Sequence, residues 1–264
     1  RIGQVPYLNG DLFAEDENDN NPAIVVPDAV LAEVITDLCS TFNFTLSEST
    51  PFDIEVAVDP AMLGKVFEEL VTGRHESGSY YTPRAVVAFM CREALKGYLA
   101  TRLPDEPAET ITSFVDEHHA AMLHNPTATL DALRAIHVCD PACGSGAYLL
   151  GMLHELVTLR LALCTTFHLD NLPMYERKLE IIQTNLYGVD LDPFAVHIAR
   201  LRLWLVLMVE YEGDAPPPLP NLNDRLKVGD SLTAPIYADV AVFSPGNTRI
   251  PNPSPRRSTL LEKS

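Results

Sequence analysis

Three times in the second half of this chain a short apolar run stops on an aspartate. AIHVCD ends at Asp140, LYGVD at Asp190 and RLKVGD at Asp230, and a fourth run, YADVAVF, follows. Longer apolar stretches with helical spacing separate the first three, one from about Ala147 to Leu163 and one beginning DPFAVHIARLRLWLVLMV. Short strands alternating with longer helices specify a parallel sheet covered by helices on both faces. In such sheets ligands bind beyond the carboxyl ends of the strands. Asp140, Asp190 and Asp230 are therefore expected to line one crevice.

The junction after the first run reads DPACGSGAYLL, with Gly144 and Gly146 on either side of Ser145. Glycine opens backbone angles closed to other residues and lets a ligand approach the main chain. A helix starting near Ala147 would aim its N-terminal amides into the same crevice. A Gly-x-Gly turn after a strand is shared by many nucleotide binders, so alone it names no ligand. The acid ending the next strand, Asp190, narrows the field, because a carboxylate there can accept both hydroxyls of a ribose. In a dinucleotide-binding fold it would follow the glycines by roughly 20 residues. Here the interval is more than twice that and the third glycine is absent, which disfavours NAD. Asp230, an acceptor without a donor when ionised, suits the amino group of an adenine.

Residues 1–134 read as a mostly helical region, 135–243 as the α/β core, and 244–264 as an aberrant or disordered tail of Pro, Ser and Arg. One helix is expected from Pro27 to Phe42. DPAMLGKVFEELV has Asp59 as N-cap, Pro60 at the first helical position and Met62, Leu63, Val66, Phe67, Leu70 and Val71 on one face. Thr82 and Pro83 repeat that start signal, with Val86, Val87, Met90, Cys91, Leu95 and Tyr98 as the buried stripe. His118, His119 and His124 have no matching third ligand and read as surface histidines, so no metal site is assigned. Tyr187 and Trp204 read as core aromatics.

The five cysteines, Cys39, Cys91, Cys139, Cys143 and Cys164, lack zinc-site pairing and mostly sit in apolar runs. They read as buried free thiols of a reducing cytoplasm. No uninterrupted apolar run approaches the roughly 20 residues of a membrane span, so no membrane partner is expected. Net charge is -17, with acidic clusters at Asp11 to Asp19 and Asp105 to Glu117. A protein that holds DNA replaces phosphate counterions with positive charge, and this balance argues against such a surface within this segment alone. The acidic clusters read as solvated loops and helix faces. The chain begins at Arg1 without Met and reads as a fragment.

GSYYTPRAVVAFM, DPACGSGAYLL, GVDLDPFAVHIARLRLWL and VGDSL, in that order, resemble the adenine-specific N6 DNA methyltransferases of restriction-modification and phage-defence systems. The resemblance runs from about Phe52 to Leu232, with the motif order of the gamma type. It is strongest to the large bacterial enzymes in which a methyltransferase core is fused to other domains. It implies a Rossmann-like S-adenosylmethionine-dependent methyltransferase fold, with a partial parallel sheet and an N-terminal helical region. The implied cofactor is S-adenosylmethionine. Tyr81, Thr82 and Pro83 would lie against its methionine end, and Asp140 to Gly146, with Ala142 and Gly144 between them, around its methionine and ribose. Asp190 would take the ribose, Asp230 with Ser231 the adenine edge, and Leu191 and Pro193 the faces of the adenine ring. The implied partner of the full-length protein is DNA, with a nuclease or a recognition domain or subunit as companion.

Methylating the adenine amino group is difficult because its lone pair is delocalised into the ring. The family meets this with an Asn/Asp-Pro-Pro-Tyr/Phe motif after the fourth strand, whose oxygens accept from the amino group while the aromatic ring stacks on the flipped base. Here DVAVF is followed by SPGNTRIPNPSPRRSTLLEKS, in which Asn252, Pro253 and Pro255 form NPSP with no aromatic after it. No catalytic residue is therefore assigned, and the chain is expected to be inactive alone. One hypothesis is a change of reading frame near Val242, which the other two frames of the coding DNA decide. Two further readings stand beside the leading one. A non-catalytic or truncated cofactor-binding subunit would co-purify with a subunit carrying the missing motif, and a methyltransferase with a non-DNA substrate would need a different substrate motif at the same place.

Overall fold

The computed structural model describes residues 21–39, 64, 82–211 and 220–233. Helix α1 (Asp28–Glu33) runs into a π-helical segment, Val34–Cys39, and none of its residues is buried. Of the helix expected over 59–71, only Gly64 is among the described residues, helical and buried. Helices α2 (Arg84–Arg102), α3 (Ala108–Glu117) and α4 (Pro126–Ala135) precede the sheet. There follow β1 (Val138–Asp140), α5 (Ala147–Phe167), α6 (Met174–Thr184), β2 (Leu186–Asp190), α7 (Pro193–Met208) and β3 (Leu226–Val228). The fourth apolar run and the tail lie outside the described residues.

The strands pair in parallel in the order β1-β2-β3. This open sheet beside its helices is the expected Rossmann-like architecture. Register staggers the strand ends: Asp140 faces Gly188, two residues short of Asp190, and Asp190 faces Val228, two residues short of Asp230. Each successive acid thus stands one side-chain period further along, and Asp140 and Asp190 fall on the same face of the sheet. Asp230 itself lies two residues past β3, a correction to the expectation that it ends a strand.

Val138, Leu186 and Leu226 join the core that α5, α6 and α7 share. The opposite face is not helix-covered in the same way among the described residues. Cys139 is exposed there, and its register partner Tyr187 is covered by the Arg225 guanidinium, 4.6 Å from the ring centroid, and by His137. Right-handed crossovers that advance in one direction deposit every connecting helix on one side.

Helix α5 is, by length and composition, apolar enough to cross a membrane. It is instead the axis of the core, with Leu149, Met152, Leu153, Leu156, Leu159 and Leu163 all almost fully buried. Helix α2 packs on it through Val87, Cys91, Leu95 and Leu99, one residue per turn. This stripe is narrower than the one expected: Val86 and Met90 are about half exposed, and Tyr98 is only partly buried, its hydroxyl donating to the Ala132 carbonyl at 3.1 Å. The cause is Gly151 on α5. Without a side chain there, Val87 sits where a Cβ would be, and the helices approach so closely that a single row fills the groove. Pro83, not Thr82, is the N-cap of α2, and no side chain caps it.

Charged groups inside the core are paired. Arg92 meets the buried Glu155 at 3.1 Å. Glu106, read as part of a solvated acidic cluster, is 7% exposed and accepts the Asn125 amide at 2.7 Å. The largest group surrounds Asp170, which holds a left-handed backbone (φ 57) in the loop after α5. Its carboxylate accepts from Arg160 at 2.7 and 2.8 Å, from Arg134 at 2.7 Å and from Arg177 at 3.0 Å. Burial acts to raise the Asp170 carboxyl, but Arg160, Arg177 and Arg134 outweigh it and hold it below its ordinary value of 3.8. A depressed carboxylate contributes stability that is complete above its unfolded pKa, about 3.9, and is lost as pH falls through the folded one. Asp170→Ala is expected to cost roughly 3–5 kcal/mol at pH 7, because Arg160 stays buried with only the partly exposed Glu180 left beside it. Urea unfolding at pH 7 and pH 3 checks both points: the difference between wild type and variant should shrink at pH 3.

Candidate functional site

The three loops leaving the sheet converge at its carboxyl edge. After β1 the chain turns through Pro141 to Gly146 and enters α5 with Gly144 at φ 49 and Gly146 at φ 84. Both angles lie in the left-handed region that a side chain disfavours. Gly146 has a second reason to be glycine, since a Cβ there would stand 3.0 Å from Ala199 Cβ on α7. Gly144 has the opposite surroundings: among the described residues nothing lies within 4 Å of the place its Cβ would take. That side of the turn is open to a ligand. No side chain caps the first amides of α5.

The turn is held to the end of β2. The Cys143 amide donates to the Val189 carbonyl at 2.9 Å, and the Gly144 amide to Asp190 Oδ2 at 2.7 Å. The third loop is tied to the first by the Ser231 hydroxyl, which donates to the Pro141 carbonyl at 2.7 Å. Gly229 continues the ladder by donating to the Asp190 carbonyl at 2.9 Å.

All three strand-end acids make the same local turn. Asp140 accepts from the Ala142 amide at 3.1 Å, Asp190 from Asp192 at 3.0 Å and Asp230 from Leu232 at 2.9 Å. Such a turn fixes the carboxylate beside its own loop and leaves further lone pairs for a ligand. Burial raises the Asp140 carboxyl above its ordinary value; the Ala142 amide opposes this and the negative charge of Asp190 adds to it. A positive charge placed beside Asp140 would favour its ionised form. Burial, then Asp140 and Asp190, push the Cys143 thiol up to about 12, and burial, then Glu155 and Asp140, push that of Cys91 in the core to about 12, which disfavours the thiolate in both. Cys139 is exposed and Cys164 half-buried, so burial holds for two of these four free cysteines.

Leu191 is 70% exposed at the lip of β2, and Pro193, at the start of α7, is exposed too. Phe194, which the sequence reading passed over, is 59% exposed beside them. Its signal was present: an aromatic placed in the first turn, ahead of the buried stripe that starts at Ala195 and Val196. Asp192 was also missed as the side-chain cap of α7, accepting the Phe194 amide at 2.9 Å. Tyr81 lies outside the described residues. Thr82 and Pro83 start α2, whose Val87 meets Gly151 on α5 and whose Cys91 thiol faces the Tyr148 carbonyl at 3.8 Å, which brings the head of α2 to the first turns of α5. Among the described residues no three His, Cys, Asp or Glu side chains are grouped to hold a metal ion.

Residues 117–215, from the end of α3 through β1, the glycine turn, β2 and α7, match the family described as MmeI, DNA-methyltransferase domain. A Methanocaldococcus jannaschii protein that carries the name of a type II restriction enzyme and methyltransferase is 32% identical over 248 residues, covering 86% of this chain and 21% of that protein. The Streptomyces coelicolor adenine-specific methyltransferase PglX is 32% identical over 97 residues, 36% of this chain and 7% of that protein. The chain thus spans about a fifth or less of the length of these relatives. The structure of the Type IIL restriction-modification enzyme MmeI in complex with DNA shares the fold, with a TM-score of 0.52 at 22% identity over 86% of this chain and 28% of that one. At the level of this domain, the chain is homologous to the MmeI-like adenine-specific DNA methyltransferases of restriction-modification systems.

Proposed function

We propose that the crevice above β1, β2 and β3 binds S-adenosylmethionine for adenine N6 methylation of DNA by the full-length protein. The observation that carries this reading is the staggered row of Asp140, Asp190 and Asp230 around a glycine turn that is open at Gly144. The residues suit the group. Each oxygen of Asp190 already accepts one amide, from Asp192 and from Gly144, and each retains a lone pair for a ribose hydroxyl. Asp230 accepts from the adenine amino group beside Ser231, and the exposed Leu191, Pro193 and Phe194 cover the ring. Asp140, Ala142, Gly144 and Gly146 surround the methionine and ribose, with Asp140 close enough to balance positive charge. Tyr81, Thr82 and Pro83 complete the methionine end. Bound there, the cofactor supplies a methyl group made electrophilic by its sulfonium.

In this reading residues 135–243 form the cofactor-binding core and 1–134 a helical region that carries the Tyr81-Thr82-Pro83 motif. Presenting the acceptor base is a separate task. It needs acceptors for the amino group and a stacking ring, and SPGNTRIPNPSP after the fourth apolar run contains no aromatic residue to be that ring. A net charge of -17 likewise assigns the DNA-facing surface to other parts of the protein.

Isothermal titration of this chain with S-adenosylmethionine is expected to give binding, weakened about tenfold or more by Asp190→Ala, the loss of a charge-assisted pair of acceptors. Glu109→Ala, on the exposed start of α3, should leave it unchanged. Absence of any binding by the wild type overturns the reading. In a tritiated-methyl assay on DNA of mixed sequence the chain alone is expected to transfer nothing, and robust incorporation would show that the acceptor site is present after all.

A further inference from the structure

The glycine turn has a hidden side, and three residues far apart in sequence meet on it. Helix α7 turns Ala199 and Arg202 toward it, three residues apart and hence on one helical face. Ala199 fills the space beside Gly146. Arg202 is 3% exposed, and its Nη1 donates to the Ser145 carbonyl at 2.6 Å and to Ser145 Oγ at 2.9 Å. Ser145 is itself buried at 1%. Gly64 closes over the same guanidinium: a Cβ built on it would overlap Nη1 and Cζ of Arg202 and come within 3.0 Å of Ser145 Oγ.

A guanidinium in the middle of an apolar helix is a costly choice. Desolvating it is unfavourable, and a leucine would fill the α7 stripe without that cost. What the arginine adds is direction. Its donors fix the peptide between Ser145 and Gly146, while Asp190 fixes the amide of Gly144. The two glycines at φ 49 and 84 are thereby held from both ends, and the open side at Gly144 keeps one shape.

We propose that Arg202, Ser145 and Gly64 are positioning residues that clamp the glycine turn from behind and set the affinity of the crevice for its cofactor. Gly64 is glycine because the guanidinium occupies the space of its Cβ. The clamp rests on the cofactor reading above, and its test separates the two.

The full chain is prepared as Arg202→Met, Arg202→Lys, Ser145→Ala, Gly64→Ala and the double variant Gly64→Ala with Arg202→Lys. A core control, Leu163→Ala, lies at the far end of α5. S-adenosylmethionine affinity, melting temperature and the amide resonances of Gly144 and Gly146 are measured for each. Arg202→Met and Gly64→Ala are expected to weaken binding about tenfold or more and to move both glycine amides in the cofactor-free protein. Arg202→Lys retains one donor and restores much of the affinity. The double variant binds better than Gly64→Ala alone, because an ammonium needs less room than a guanidinium, so the two changes are not additive. Leu163→Ala lowers the melting temperature while leaving the affinity and the glycine amides in place.

Equal affinity and unmoved amides in Arg202→Met overturn the clamp, as does the same response from Leu163→Ala. Should Arg202→Met fail to fold, Gly64→Ala carries the same expectation and the same refutation, while Ser145→Ala, which keeps the carbonyl bond, is expected to give a smaller effect in the same direction. If the wild type binds no cofactor, the reading of the crevice fails while the glycine amides still decide the clamp.

Discussion

The pairing of Asp190 with the Gly144 amide is the constraint on which the rest of the site depends. It crosses from the end of β2 to the turn after β1 at 2.7 Å, in partnership with the Cys143 amide on the Val189 carbonyl. A turn containing two glycines has many conformations to lose, and a charged acceptor at its midpoint selects one. The same carboxylate accepts the Asp192 amide, which sets the entry to α7. One side chain therefore fixes the turn, the strand end and the start of the next helix. Ser231 on the Pro141 carbonyl adds the third loop, so the crevice wall is continuous across all three strands.

Polar groups are placed in this fold according to two different needs. Around Asp170, whose carboxylate accepts from Arg160, Arg177 and Arg134, with Glu180 also on Arg160, ion pairs hold an otherwise disfavoured loop conformation. At the crevice, Asp140 and Asp190 are held instead by backbone amides, those of Ala142, Gly144 and Asp192. The first arrangement engages both oxygens of Asp170 with arginines. The second keeps lone pairs beyond those the backbone amides use, and a raised Asp140 carboxyl, as the proposed ligand site requires.

Much of the architecture was legible along the chain because its signals are local. β2 runs over LYGVD as read, and α5 starts at Ala147 as read. The α2 stripe was read too wide, since a spacing rule knows nothing of a glycine on the opposing helix. Glu106 was taken for a solvated charge because its partner, the Asn125 amide, is 19 residues away.

The sequence by itself determined the strands, the glycine turn, the acids and the family whose motifs they follow, since each is written in a few consecutive residues. Only the tertiary structure decided what those residues touch. Asp190 reaches Gly144 across 46 positions and Arg202 reaches Ser145 across 57. Such contacts exist only once the sheet has set its register and α7 has docked, and an arginine among leucines looks the same in sequence whether it faces water or the back of a binding turn.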